Sequence, residues 1–434
     1  MLNFSKKSKR TRVIALALTL AGFVVAAGCG DTYRPIVIPI QNPGGDPATS
    51  SLAFVLSQNP GLANGTCPGG GAPPCAGTVT TLSVPGESIL EYREVGRQPM
   101  MIAPGPSGLA SIYIPNRVDN TVSQTRGTAT VSSLPAGSAP VFAASVTEGS
   151  VANATVVVAN SGTNTASFIS ASSAAVRLTV PVGSNPVAVG VSSSQRKAYV
   201  VNGGSGTVTV LAVADGAQLK TIDVGDDPVW AVSHPSGTMV FVVNRGSGDV
   251  SVIDTATDTV VRTISTGTEP VFAIYDPRLL RVYVANRGSN SVSVLDASAT
   301  SPASVTLIGT AQVGSQPVSI APLRDGSRVY VANSGSNDVT VIDALSLQPR
   351  ANTIKVGTRP VSIAAASDSS RVLVANNEYT RGADNSIVRP PGISVIRTST
   401  DTKTVDLDAP FADFANCTSD AACPRQQPVF VVAE

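Results

Sequence analysis

Short runs of apolar residues alternate with polar turns along most of the chain. In the stretch from Pro270 to Asp296, PVFAIYDPRLLRVYVANRGSNSVSVLD, one run opens on Pro-Val, a second ends in Val-Ala-Asn and a third ends in Asp. These runs are rich in Val, Ile and Thr and lack helical spacing, which predicts β-strands. Both faces of each run are largely apolar, so we expect a sheet that is packed between two others.

The same unit returns at a nearly constant interval. Its second run ends in a tetrad that closes on Asn, and seven such tetrads follow one another at intervals of 42 to 47 residues, closing on Asn116, Asn160, Asn202, Asn244, Asn286, Asn333 and Asn376. Strand A of one unit follows Pro270, strand B is 281–286 and strand C is 291–296. Strand D is clearest at 259–264 and leads into a Gly-x-x-Pro turn. Four short strands in each period of about 40–45 residues predict an all-β fold, the β-propeller.

The tetrads include YVAN at 283–286 and 330–333 and YVVN at 199–202, and they resemble the repeats of the YVTN family of β-propeller proteins. The resemblance covers roughly residues 95 to 405 and rests on the repeated pattern VG-x-x-P-V, YVAN-x-GS and V-x-VID. It implies the propeller fold. It implies no single activity, because one fold serves many functions. We expect Asn286 and Asp296, which end strands, to bond the turn backbone rather than a ligand.

The two ends of the domain match parts of one blade. Residues 51–57, 78–84 and 88–95 match strands B, C and D, and the missing strand A matches 428–432 at the other end of the chain. Eight prolines open the strands A, which predicts eight blades: Pro99, Pro140, Pro186, Pro228, Pro270, Pro317, Pro360 and Pro428. We predict that the terminal strands share a blade, which closes the ring and removes open sheet edges. The alternative is seven blades, with the N-terminal strands packed elsewhere.

Residues 1–28 are predicted to be a targeting segment. Five basic residues precede a mostly apolar run over 13–27, which at 15 residues is short for a membrane span. The sequence Ala-Ala-Gly-Cys at 26–29 resembles a bacterial lipobox, in which Cys29 is lipidated and becomes the new N-terminus. The alternative is an ordinary signal peptide. Residues 29–50 are rich in Pro and Gly, which predicts a tether to a propeller domain over residues 51–434.

Charge and anchoring narrow the choice of partners. After removal of residues 1–28 the chain keeps 25 basic and 29 acidic residues, a net charge of −4. No basic stripe is present for a phosphate backbone, so nucleic acid is not expected as a partner. Multiple acyl chains on Cys29 would hold the protein at a membrane. Because Gly30 follows the cysteine where an acidic residue would mark inner-membrane retention, the lipoprotein resemblance implies the outer membrane.

Four further cysteines form two close pairs, Cys67 with Cys75 and Cys417 with Cys423. In a chain addressed outside the cytoplasm, this spacing predicts one disulfide within each pair. A crossed pairing that joins the two termini is the alternative. A four-cysteine zinc site would require tighter spacing, so no metal is predicted.

Three long insertions fall on connections that open on one face of a propeller, at 58–77, 377–391 and 408–427. We call this face the long-loop face. Function concentrates in loops that a rigid scaffold holds. The second insertion carries the candidate binding residues Tyr379, Arg381, Asp384, Asn385 and Arg389. The alternative is that these loops are solvated decoration around the ring closure.

The chain offers few catalytic groups. His234 is the only histidine and lies in an A–B turn on the opposite face, where we expect a structural role. One histidine argues against axial haem ligation and one tryptophan against quinone-binding propellers, so no cofactor is predicted. We favour a monomeric, non-enzymatic binding or scaffold module of the cell envelope that contacts a protein or glycan through the long-loop face. The alternatives are an envelope hydrolase or lactonase and a surface-layer component.

Overall fold

The computed structural model describes residues 52–62, 66–68, 70–106, 108–126, 132–148, 150–382, 386–410, 412 and 424–433. Within these ranges the chain forms eight antiparallel four-stranded sheets, which are the blades of a propeller, and one two-stranded hairpin. The prediction of an all-β, eight-bladed propeller is confirmed, and the seven-bladed alternative is wrong. None of the helical segments among these residues has the length and hydropathy needed to cross a membrane.

Thirty-four strands make up the sheets. The first four blades, numbered along the chain, are built from β4 (Ala103–Gly105), β5 (Gly108–Asn116), β6 (Thr121–Arg126) and β7 (Ser132–Pro135); β8 (Pro140–Glu148), β9 (Ser150–Asn160), β10 (Thr165–Ser170) and β11 (Ala175–Pro181); β12 (Pro186–Ser192), β13 (Lys197–Asn202), β14 (Thr207–Ala212) and β15 (Gln218–Asp223); and β16 (Pro228–Ser233), β17 (Met239–Asn244), β18 (Asp249–Asp254) and β19 (Thr259–Ser265).

The next three blades are built from β20 (Pro270–Asp276), β21 (Arg281–Asn286), β22 (Ser291–Asp296) and β23 (Thr306–Gln312); β24 (Pro317–Pro322), β25 (Arg328–Asn333), β26 (Asp338–Asp343) and β27 (Ile354–Lys355); and β28 (Thr358–Ala365), β29 (Arg371–Glu378), β32 (Gly392–Arg397) and β33 (Thr402–Asp408). Blade 7 also carries the hairpin β30 (Thr380–Arg381) and β31 (Ile387–Arg389), and a 3-10 helix, Pro302–Ser304, precedes β23. The closing blade is built from β1 (Leu52–Asn59), β2 (Cys75–Ser83), β3 (Ser88–Arg97) and β34 (Gln427–Ala433).

The closing blade joins the two ends of the chain. Strand β34 pairs antiparallel with β1, so that Val431 lies opposite Val55 and Phe430 opposite Leu56. The sheet order is β3-β2-β1-β34, which makes the C-terminal strand the innermost of four, as predicted. Five buried hydrophobic residues of β34, including Phe430 and Val431, lie in the core. Ring closure therefore depends on a strand that arrives last in the sequence.

The repeated asparagine is a structural residue. Asn286 is fully buried, and its side-chain amide donates hydrogen bonds to the hydroxyls of Ser291 (3.1 Å) and Ser293 (2.9 Å) in strand C. The expectation that Asn286 bonds the turn backbone is therefore corrected, whereas Asp296 does accept the backbone N–H of Ser298 (2.9 Å). Gly267 of the preceding blade lies against Asn286, since a Cβ there would stand 2.7 Å from the amide carbon. The glycine of the Gly-x-x-Pro turn is thus required by close packing between blades.

Ionic latches join neighbouring blades at the start of strand B. A basic residue two positions before the tetrad reaches an acidic residue in the C–D turn of the next blade, in the pairs Lys197–Asp258 (2.7 Å), Arg328–Asp401 (2.6 Å) and Arg371–Glu87 (2.5 Å). The third pair crosses the ring closure. The tetrad tyrosines Tyr199 and Tyr330 donate their hydroxyls to the same acids, Asp258 and Asp401. These latches lie at the ends of the blades that face away from the long loops.

The inner edges of several strands A are bonded to the neighbouring blade. A serine hydroxyl on one strand A accepts the free backbone N–H of an adjacent strand A, in the pairs Ser233 with Val191 (2.8 Å), Ser319 with Ile363 (3.3 Å) and Ser362 with Val431 (3.3 Å). An unpaired backbone group in the interior costs free energy comparable to a lost hydrogen bond. These serines satisfy that requirement around the centre of the ring.

Candidate functional site

Three connections on the long-loop face are much longer than their counterparts. The B–C turns of blades 1 to 6 hold four residues, as at 287–290, whereas the closing blade has residues 60–74 and blade 7 has 379–391 at this place. The D–A connection from β19 to β20 also takes four residues, but the one from β33 to β34 covers 409–426. Four residues are enough to join the equivalent strands in other blades, so the extra length is not required for the connection itself.

The described parts of these three insertions meet. The side-chain amide of Asn59, at the start of the first insertion, donates to the backbone oxygen of Ala412 in the third (2.8 Å). The hydroxyl of Thr78 donates to the side-chain oxygen of Gln426 (2.8 Å), and both groups are fully buried. Asn377, at the start of the second insertion, donates to the backbone oxygen of Pro428 (3.1 Å). Segments that are hundreds of residues apart in sequence therefore form one surface.

Arg425 and Tyr379 connect the second and third insertions. The backbone N–H of Arg425 donates to the phenol oxygen of Tyr379 (2.6 Å). The Arg425 guanidinium donates to the backbone oxygen of Ala409 (2.9 Å) and lies 3.3 Å from the Asp408 carboxylate. Burial raises the pKa of nearby Tyr92, and Asp408 adds to this effect while the charge of Arg425 opposes it. The entry to β34 is thus fixed on both sides before the strand begins.

The candidate binding residues are only partly brought together. Tyr379 uses its phenol oxygen to accept from Arg425, and the guanidinium of Arg381 stacks over its ring at 5.8 Å. Arg389 forms an ion pair with Asp406 (2.6 Å), and Lys403 approaches the same carboxylate. Asp384 and Asn385 lie outside the described residues. The role of these five residues in binding stays a prediction.

The hairpin of blade 7 presents two apolar side chains that the sequence analysis did not select. Ile387 is 43% exposed and Val388 is 66% exposed on β31. The base of the hairpin is fixed by a hydrogen bond between the hydroxyls of Thr358 and Thr380 (2.7 Å) and by an ion pair between Arg359 and Glu378 (2.5 Å). The ion pairs Arg359–Glu378 and Arg389–Asp406 therefore lie in the same part of the blade as these two exposed apolar side chains. The signal in the sequence was the pair Ile-Val between polar neighbours.

One of the two predicted disulfides is present. Cys67 and Cys75 are bonded within the first insertion, with their Cα atoms 5.4 Å apart, and Cys75 is buried. This pairing excludes the crossed alternative for these two cysteines. Cys417 and Cys423 lie outside the described residues, so their pairing stays a prediction. A disulfide that closes a short surface loop is typical of proteins outside the cytoplasm.

Aromatic side chains of three strands A meet near the centre of the ring. The third residue of each strand A, counted from the opening proline, is buried in all eight blades: Met101, Phe142, Ala188, Trp230, Phe272, Ser319, Ser362 and Phe430. Trp230 of blade 4 lies 5.2 Å from the ring of Phe272 in blade 5 and 5.5 Å from the ring of Phe142 in blade 2. Blade 3 separates blades 2 and 4 around the ring. Side chains of blades 2 and 4 can therefore touch only near the central axis, which places these rings there.

His234 lies on the opposite face, as predicted. Its Nδ1 accepts the backbone N–H of Ser236 (3.2 Å), which leaves the proton on Nε2, 3.1 Å from the hydroxyl oxygen of Tyr275. The Ser236 hydroxyl also lies 2.7 Å from Nδ1, but the backbone N–H groups of Ser236, Gly237 and Thr238 are all engaged in this turn. No backbone donor of this turn remains for an oxyanion, so the arrangement is that of a hydrogen-bonded turn.

Metal ligands do not cluster in the part of the chain that the structure describes: no group of three or more His, Cys, Asp or Glu side chains could hold an ion there. The groups that could act chemically on the long-loop face are therefore carboxylates, guanidinium groups and tyrosines, most of them already engaged with one another.

Comparison with known proteins agrees with the fold. The family model described as the Choice-of-anchor I domain matches residues 274–429, which is less than half of the chain. No curated protein matches the sequence. The molecule is an eight-bladed β-propeller, and the family match together with the disulfide indicates a protein that works outside the cytoplasm.

Three solved structures illustrate the similarity. Dihydro-heme d1 dehydrogenase NirN in complex with DHE is 15% identical with a TM-score of 0.65, over 91% of this chain and 78% of that one. Apo AztD from Citrobacter koseri is 12% identical with a TM-score of 0.60, over 89% and 98%. A putative 6-phosphogluconolactonase from Bacteroides fragilis is 15% identical with a TM-score of 0.53, over 74% and 99%. At such identities the similarity shows the fold alone.

Proposed function

We propose that this protein is a binding or scaffold module of the cell envelope that contacts a protein or glycan through its long-loop face. One observation carries the proposal: three insertions, the first of them far in sequence from the other two, lie in two adjacent blades on one face and are bonded to one another through Asn59, Asn377 and Arg425. Long connections inside a compact domain are uncommon and are usually functional. Binding residues are commonly found on loops that a rigid scaffold holds in place, and here the ring is the scaffold and the three insertions are the loops.

The extra length is not needed to close the ring. Four residues join strand D to strand A between blades 4 and 5, and the same step into the closing blade uses residues 409–426. The buried bond between Thr78 and Gln426 and the disulfide of Cys67 and Cys75 fix parts of two insertions that could have been short turns. Holding chain in a single conformation costs about 1–2 kcal/mol per residue. The entropic cost of ordering these extra residues is consistent with a binding function for the surface that they form.

We extend the proposal to the cellular location of the protein. Residues 1–28 would direct export, lipidated Cys29 would anchor the chain to a membrane, and residues 29–50 would leave the propeller free to orient. The disulfide of Cys67 and Cys75 supports an oxidising compartment. A Cys29→Ser variant is expected to move from the membrane fraction to the soluble envelope fraction. Unchanged membrane association would overturn the anchor without touching the binding proposal.

The enzyme alternative has no observation in its favour. A lactonase-type site at the channel would require acidic and Arg side chains near the axis. The eight described residues at the third position of strand A include only two polar ones, Ser319 and Ser362, and each already accepts a backbone N–H. The similarity to a putative 6-phosphogluconolactonase is one of fold, and fold does not carry activity. We therefore retain the binding module as the proposal.

A hairpin replacement tests the proposal. Residues 379–391 are exchanged for the four-residue turn of blade 5, Arg-Gly-Ser-Asn, which connects the same two strands there. Intact and shortened proteins are then compared in affinity capture from solubilised envelope, with partners identified by mass spectrometry. We expect at least one partner to be lost with the hairpin while the melting temperature changes little. An identical set of partners for both proteins would contradict the proposal.

A matched control uses the opposite face. Ser236 is exposed in the A–B turn of blade 4, and a Ser236→Lys variant alters that surface without touching the insertions. Its captured partners are expected to equal those of the intact protein. Loss of the same partner from both variants would show that the effect does not belong to the long-loop face.

A further inference from the structure

The outer strands of the blades differ in how their free edges are protected. Strand D is the last strand of each sheet, so its outer backbone N–H and C=O groups have no partner strand among those described. Six of these strands are six or more residues long, and all six contain a β-bulge: β3, β11, β15, β19, β23 and β33. Proteins guard such edges with bulges and with charged side chains, because a flat apolar edge pairs with other chains.

Only β23 lacks charge. Its sequence is TLIGTAQ, whereas each of the other five long strands carries at least one charged residue, for example Lys220 in β15, Arg262 in β19 and Asp406 in β33. The bulge is common to all six, so the missing charge is what distinguishes this edge. Among the described outer strands of six or more residues, only that of blade 5 therefore has no charged side chain to oppose pairing with another strand.

Apolar side chains extend this edge into a patch. Leu307 and Ile308 are consecutive in β23 and each is 42% exposed, and Leu345 in the neighbouring C–D turn is 70% exposed. Leu347 joins them, because a Cβ on Gly309 would stand 2.7 Å from its side chain. Leu280, which is 40% exposed, precedes Arg281, and the guanidinium of Arg281 donates to the backbone oxygen of Ala344, the residue before Leu345.

Similar leucines on other blades stand in a different setting. Leu219 in β15 is 48% exposed and is the bulged residue of its strand, as Ile308 is in β23. Lys220 follows it directly, so that edge would bring two ammonium groups together if it paired with its own copy. Leu90 in β3 is likewise followed by Glu91. The hydrophobic residue alone therefore does not define a docking edge.

We propose that the β23 edge, together with Leu280, Leu345 and Leu347, is an interaction surface for a second copy of this chain. The two β23 strands pair antiparallel across a two-fold axis and join two blades into one eight-stranded sheet. An isologous contact must be complementary to itself. An uncharged strand meets this condition without like-charge contact, and the leucines of the two copies cover one another. The dimer, in place of the expected monomer, carries two long-loop faces and so binds a multivalent partner with greater avidity.

The test is the solution mass of full-length protein across a dilution series, measured by light scattering with any detergent contribution subtracted. We expect the intact protein to be a dimer that dissociates on dilution. Ile308→Lys is expected to weaken the dimer at least about tenfold, because it places two like charges at the contact. Leu219→Lys, the same change at the same bulge position of blade 3, is expected to leave the mass unchanged.

A charge-swap experiment separates loss of contact from loss of structure. Ile308→Lys and Ile308→Asp proteins, each monomeric alone, are expected to form a mixed dimer when combined, because opposite charges then face each other. A monomeric intact protein at all concentrations, an Ile308→Lys protein that remains dimeric, or a Leu219→Lys protein that dissociates equally would each overturn the proposal. So would capture of a different protein at this edge in place of the second copy.

Discussion

The two faces of the ring are built differently. On the face that carries His234, the C–D turns receive the ionic latches Lys197–Asp258, Arg328–Asp401 and Arg371–Glu87, which join one blade to the next. On the long-loop face, blades 1 to 6 have B–C turns of four residues, and all the extra chain is concentrated in blade 7 and the closing blade. The first face is devoted to holding the blades together. The second is elaborated in one sector only.

We infer from this difference that the contacts that stabilise the ring and the surface proposed to bind a partner lie on opposite faces. Latches tie neighbouring blades pairwise, so their loss should lower stability without changing any outer surface. The insertions are bonded to one another and to the entry of β34, so shortening them should change the surface more than the stability. Four predictions test this division, from the largest expected effect to the smallest.

Removal of the closing strand should have the largest effect, because both faces depend on a closed ring. Deleting residues 429–434 removes Phe430 and Val431 from the core and exposes the inner edge of β1. We expect loss of the cooperative thermal transition. A synthetic peptide of residues 427–434 added in trans should restore part of it. A truncated protein that melts within a few degrees of the intact one would refute closure.

Loss of the central tryptophan should be the next largest effect. Trp230→Ala removes two ring contacts and the hydrogen bond from the indole N–H to the backbone oxygen of Ala273 (2.9 Å). We expect the free energy of unfolding to fall by about 3–5 kcal/mol. Chemical denaturation measures it, and Trp230→Phe should recover much of the loss. A change below about 1 kcal/mol would mean that the ring contacts of Trp230 do not stabilise the fold.

The latch across the ring closure should contribute less. Arg371→Met removes the guanidinium that pairs with Glu87, and both side chains are largely buried. We expect a loss of about 1–2 kcal/mol, since a hydrogen bond to a charged group is broken and Glu87 keeps only the weaker approach of Arg397. A double-mutant cycle with Glu87→Gln isolates the pair. If the changes in the free energy of unfolding caused by the two substitutions simply add, Arg371 and Glu87 do not interact energetically.

The pH dependence of His234 should be the smallest effect. Burial lowers the pKa of His234 below its ordinary value, and a bond to the backbone oxygen of Ala297 only partly opposes this. The unfolded chain therefore takes up the proton first as the pH falls. The contribution of His234 to stability is present above its unfolded pKa of about 6.5 and is lost as the pH drops through the lower folded value.

Denaturation of the intact protein and of a His234→Asn variant measures this contribution. The Asn oxygen can accept the N–H of Ser236 in place of Nδ1, while the titration is removed. Stability of the intact protein should fall more than that of the variant between about pH 8 and about pH 5. Parallel pH profiles for the two proteins would contradict the predicted direction of the pKa.

The sequence predicted the ring because its period and its terminal strands are local signals. Pro428 to Val432 could be assigned to strand A from its resemblance to the runs after the other prolines. The contact between Trp230 and Phe142 could not be predicted, because it joins blades 2 and 4, which are not neighbours in the sequence of blades. Side-chain pairing between blades carries no signal in the spacing of a single repeat.

The candidate site was harder to predict for the same reason. The sequence placed the insertions on one face and indicated Tyr379 and Arg389 as candidate binding residues, but it could not show that both also have partners within the fold. The bonds of Arg425 and Asn59 join segments that are far apart in the chain, so no local pattern indicates them. Exposed Val388 was overlooked because an apolar residue in a strand pattern predicts burial.

Site-specific photo-cross-linking in intact cells tests the central claim most directly, with the photoreactive residue at Val388 on the long-loop face or at Leu219 on the outer rim. Both positions are well exposed, at 66% and 48%, so neither substitution should disturb the core. The account predicts a discrete covalent adduct with another envelope component from position 388 and none from position 219. The same adducts from both positions, or no adduct from position 388, would contradict it.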